Sequence, residues 1–177
     1  SVGGPESFRL HSDYIVRVRD FITRVADATN ATLDPELETY YLMDIFSTRL
    51  PGLAEDAGRA RALGTGLAVR QKVGDAERVE MTVLMQRVAD GRRAIEVSVG
   101  KAGTNDAGLA AQLGGAAKPL DGGIQTFTEL IQGGLLKAAE ISVAPTAVFD
   151  TGTKAVDAAY GLFDMSAREF DQRLSQR

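Results

Sequence analysis

Apolar side chains recur at three- and four-residue steps along almost the whole chain, and strand-like alternation extends over no useful length. The first such stretch runs from about Glu6 to Asn30. Tyr14, Val18, Phe21, Ile22, Val25 and Ala28 form one face, and Asp13, Arg17, Arg19, Asp20 and Arg24 take the other. That division predicts an amphipathic helix. Asn30-Ala31-Thr32-Leu33-Asp34 interrupts it, either as a tight turn between helices or as a kink in one long rod.

The second helix is predicted from Pro35 to about Lys72, with Asp34 capping its first turn and Glu36 and Glu38 complementing its dipole. From Leu37 to Leu53 apolar residues fall on almost every side, so this helix is expected to be surrounded by others. Pro51 removes a hydrogen bond and crowds the preceding turn, which predicts a kink at Pro51-Gly52. Gly58, Gly64 and Gly66 follow in the same helix, where close packing against a neighbour would offset their poor helix propensity.

Val73-Gly74-Asp75 reads as a turn with Asp75 as a cap, followed by a helix from Ala76 to about Val99. Val79, Val83, Val88 and Ile95 mark its stripe, with Met81, Leu84 and Met85 nearby. A short helix over about Ala107 to Ala117 is expected to start at Thr104-Asn105-Asp106 and stop at Lys118-Pro119. Asp121 would then cap a helix reaching about Glu140, and Pro145 would open a last helix to the end of the chain. The pattern predicts an all-α fold: an antiparallel bundle of long helices, four-helix-bundle-like, with one or two shorter extra helices.

Composition narrows the function. At 177 residues the chain reads as one domain spanning residues 1–177, and its ends look like the edges of a larger protein. A net charge of −4, no basic run and 6% aromatic residues without Trp argue against nucleic acid as a partner. One His and no Cys remove most nucleophile–base pairs and thiolate metal sites, and the Glu-x-x-His motifs of di-iron bundles are absent. No enzyme, cofactor or metal centre is expected.

Asp34-Pro35-Glu36-Leu37-Glu38-Thr39-Tyr40-Tyr41-Leu42-Met43-Asp44, then Leu50-Pro51, then Arg59-Ala60-Arg61-Ala62-Leu63-Gly64-Thr65-Gly66, resembles the extracytoplasmic helical sensor regions of bacterial transmembrane receptors. Methyl-accepting chemotaxis proteins, sensor histidine kinases and some diguanylate cyclases carry such regions. The Arg-Ala-Leu-Gly-Thr-Gly run is similar, over a shorter span, to nitrate- and nitrite-sensing helical domains. The resemblance implies a periplasmic domain of a membrane-anchored receptor, homodimeric in its parent. It would respond to a small-molecule ligand or a periplasmic binding protein and displace its last helix into a second transmembrane helix.

Five residues are candidate ligand contacts. Asp44 shares a helical face with Tyr40 and Tyr41 inside an apolar run, so a cation from another helix, a ligand or water must meet its carboxylate. The two tyrosines read as core aromatics or as ligand contacts. Arg59 and Arg61 stand two residues apart, so at most one is expected to point inward, where its planar fork suits an organic or inorganic anion. The competing expectation is a structural or dimerisation bundle with no ligand. A polar-walled cavity near Asp44 would favour sensing, and a closed salt bridge there would favour a scaffold.

Overall fold

The computed structural model describes residues 3–28 and 35–176, the side chains of residues 4, 5 and 8 excepted. Among them all regular structure is helical: α1 (Gly4–Ala28), α2 (Leu37–Met43), α3 (Leu50–Arg70), α4 (Asp75–Ala102), α5 (Ala107–Ile131) and α6 (Pro145–Ser175). A π-helical segment, Asp44–Arg49, joins α2 to α3, and another, Gln132–Leu136, extends α5. The all-α bundle read from the sequence is the fold observed.

The α2–α3 rod, α4, α5 and α6 run alternately up and down. Leu53 meets Gly91, Arg92 meets Asp121 and Ala155 meets Gly123, each across an antiparallel pair. Leu42, Ile45, Leu50, Leu67, Met81, Val88, Leu113, Phe127, Ile131 and Leu162 fill the core between them. Burying such side chains is worth about 1.5–3 kcal/mol each, which is what holds helices of modest propensity in register. The fifth rod, α1, lies outside this bundle. Its Arg19 approaches Gly52 and its Thr23 lies by Ser47 and Thr48, so α1 folds back antiparallel to α3 as a hairpin and not as a continuation of it.

Several boundaries differ from the sequence reading. The α2 helix starts at Leu37, with Pro35 and Glu36 in a bend, while the expected Asp34 cap and the end of the first helix at Asn30 fall outside the described residues. Pro51 is accommodated upstream: the turn before it widens to π geometry, and the Leu50 amide donates to the Ile45 carbonyl five residues back. The rod ends at Arg70, where Gln71 takes the left-handed conformation with φ of 51°. Gly74, not Asp75, precedes the first turn of α4, and the Glu77 carboxylate accepts the Gly74 amide at 3.0 Å.

Pro119 does not stop a helix; α5 runs straight through it. Pro119 and Gly115 both face solvent, so water can satisfy the carbonyl that loses its donor, while Leu113, Leu120, Ile124 and Phe127 on the opposite side bind the helix to the bundle. The α5 rod ends at Leu136, short of Glu140, because residues 137–144 form the loop to α6. In α4 the buried stripe is Met81, Leu84, Met85, Val88 and Ile95, whereas Val79 and Val83 lie on the exposed side. Of Gly58, Gly64 and Gly66 in α3, only Gly64 is tightly packed; the other two face open space.

Candidate ligand cleft

The five sequence candidates fall into two places. Asp44 and Arg59 are fifteen residues apart on one rod, roughly 22 Å along its axis. They cannot share one small-molecule site.

At the upper end, the π segment sets the chemistry. Its wider turn brings residues five apart onto one face, and Arg49 Nε donates to Asp44 Oδ2 at 3.0 Å. Ser98 of α4, itself buried, donates to the same oxygen at 2.8 Å. The carboxylate is thus engaged by a cation of its own rod and a hydroxyl of another, not by a cation from another helix. Tyr40 and Tyr41 meet edge to face with ring centroids 5.0 Å apart; Tyr41 packs on the core, but Tyr40 is 38% exposed and is not the interior residue the apolar run suggested. Neither Asp44 nor either ring lines any of the three cavities described below.

Lower down, α1 leaves an opening. A cleft of about 530 Å³ lies between α1, α3 and α6, with Ile15, Val18 and Ile22 on one wall, Leu50, Pro51 and Ala54 on the second, and Val156, Ala159 and Phe163 on the third. Its size and apolar lining with a few charged groups match what small-molecule sites require. Arg59 and Arg61 both line it. No described side chain of α1 is fully buried; Tyr14, Val18, Phe21 and Val25 of its predicted apolar face are exposed, as is Leu10. The side facing the bundle carries Ile15, Arg19 and Ile22, so Arg19 departs from its expected place on the solvent face.

Both arginines border the one cleft, against the expectation that at most one would point inward, and their guanidinium groups diverge from there. Arg59 reaches toward α4, where Nη2 stands 3.9 Å from Glu80. Arg61 lies along α6: its stem crosses Gly152, where a Cβ would come within 2.8 Å of it, its Nη1 donates to Thr153 Oγ1 at 2.7 Å, and its guanidinium sits 4.8 Å above the Phe149 ring. Glu55 projects into the cleft. Burial pushes its carboxyl above the ordinary value, Arg59 and Arg19 pull it back, and the neighbouring Asp56 adds to the rise. Asp56 is likewise raised by burial, against Arg87, Arg59 and Arg19. His11, the chain's one histidine, is exposed and stands at the rim of the cleft.

Two further hollows are less suited to a ligand. One of about 700 Å³ is walled mainly by the turn after α3 and the loop before α6, and the Arg78 guanidinium there is already spent on the Leu136 carbonyl. The other is about 210 Å³ and lies between Arg19, Thr23 and Ser47. Among the described residues no cluster of His, Cys, Asp or Glu has the makings of a metal site, and no helix is long and apolar enough to cross a membrane. The cleft residues on α1 and α6 were missed by sequence reasoning. The one available signal was an apolar face on α1 too long for the contact it makes.

Comparison of the chain with protein-family models, with curated proteins and with solved structures found no match.

Proposed function

We propose that this chain is a ligand-sensing helical domain, of the kind that stands outside the membrane in bacterial chemoreceptors and sensor kinases, and that its ligand occupies the cleft under α1. The observation that carries the reading is the cleft itself: an apolar space closed on one side by a helix none of whose described side chains is fully buried. A ligand filling it would add contacts between α1 and the α3–α6 pair and favour the docked position of α1 over looser ones. Since α6 forms one wall, that bias reaches the last helix directly, and a displacement of α6 along its axis would carry the signal onward. The outward face of α1, with Leu10 and Phe21, is where a second copy would pack in a receptor dimer.

The engaged carboxylate of Asp44 favours a second reading, a scaffolding or dimerisation bundle with no ligand. A thermal-shift screen of the purified protein against organic acids, aromatic acids, amino acids, nitrate and nitrite separates the two. A ligand at 100 times its dissociation constant adds about 2.7 kcal/mol, a rise of several degrees at this size. The sensing reading expects a hit that disappears when Ala54→Phe fills the cleft, with the variant's own melting still cooperative. A hit indifferent to Ala54→Phe moves the site elsewhere, and silence across the screen leaves the scaffold.

A further inference from the structure

The charges around the cleft do not cancel evenly, and their placement specifies a ligand class. Arg19 and Arg59 each have carboxylates nearby: both act on Glu55 and Asp56, and Arg59 also faces Glu80. Arg61 has none within ion-pairing distance among the described residues; its polar partner is the neutral Thr153 hydroxyl. This guanidinium is nonetheless held in place. Phe149, Thr153, Val156, Tyr160 and Phe163 recur along one face of α6, so the ring and hydroxyl that fix Arg61 continue directly into the wall of the cleft. Gly152 leaves the space that the Arg61 stem occupies. A positive group without a counter-ion among the described residues therefore stands at one end of the apolar cleft, whereas the charge nearest the other end, by Leu50 and Ile22, is Arg19, which lies against Gly52 and acts on Glu55.

We propose that the cleft takes a monocarboxylate with an apolar body, its carboxylate received by Arg61 and its body lying between Ile15, Val18, Ala54 and Phe163. The inference rests on the cleft being a ligand site. A guanidinium already pinned by a ring and a hydroxyl loses little freedom in pairing, and its fork presents parallel donors to a carboxylate. Glu55, the one carboxylate in the cleft, sits beside Arg19 and Arg59 and leaves Arg61 free of competition.

The test is titration calorimetry of the purified protein with decanoate and 3-phenylpropanoate, each set against its uncharged counterpart, decan-1-ol and 3-phenylpropan-1-ol. At least one acid is expected to bind about tenfold or more tightly than its alcohol. Arg61→Met, which keeps the apolar stem, should remove that preference and leave the alcohol's affinity unchanged, and Arg61→Lys should retain part of it. Acids and alcohols that bind equally, with Ala54→Phe abolishing both, would overturn the monocarboxylate inference while the cleft stands. No binding by any of the four probes overturns the inference outright. The acid–alcohol comparison uses the wild-type chain alone, so it decides the matter even where Arg61→Met does not fold.

Discussion

Gly64 and Gly66 are two residues apart in α3 and have opposite surroundings. A Cβ on Gly64 would come within 2.9 Å of Ile131 Cδ1 and 3.0 Å of Val148 Cγ1, whereas one on Gly66 would meet nothing within 4 Å. Gly66→Ala should therefore stabilise the protein by about 0.5–1 kcal/mol through helix propensity alone. Gly64→Ala gains the same propensity but overpacks the core, and a net loss of up to about 2 kcal/mol is expected. Urea midpoints of the two variants check this; equal shifts of one sign would refute the packing assigned to Gly64. The sequence held these glycines as one group because spacing alone does not say which face of α3 meets α5 and α6. Asp44 was legible as an odd carboxylate in an apolar run, yet its partner Arg49 was not. A partner five residues on belongs to π geometry, which no residue type announces.

Among elements, the long helices were legible from their period, and their boundaries were legible where side-chain chemistry marks them. Asp106 is such a mark: its carboxylate accepts the Leu109 amide at 2.9 Å at the start of α5 and pairs with Arg173 of α6. Those bonds hold its carboxyl below the ordinary range. Pro119 was misread because its local cost is real but is outweighed by the packing of Leu113, Leu120, Ile124 and Phe127 across the helix. Replacing it tests that balance. Pro119→Ala restores the missing donor on an exposed face and should raise stability by about 1–3 kcal/mol. An unchanged or lowered urea midpoint would mean that the proline shapes α5 in a way the bundle depends on.

At the scale of the molecule, four rods share a core and α1 rests against them. Sequence periodicity could foresee the helices themselves, but the cleft is made by three of them at once, and no single segment records which sides they turn to each other. The π segment, by contrast, has a history that can be read from its geometry. One residue added to an α-helix turns everything beyond it by about 100°, which here would swing α3 out of register with α4 and α6. A π turn confines such an insertion to itself. Residues 44–49 thus have the form of a helix that once gained a residue and kept the orientation of all that follows. The expectation is concrete: deleting the exposed Thr48 should let the segment close to an α-turn, bring Asp44 and Arg49 to the four-residue spacing that also pairs them, and leave a cooperatively folded bundle. Deleting the buried Ala60, in regular α-helix, should abolish cooperative melting, and two deletions that behave alike would take that history away.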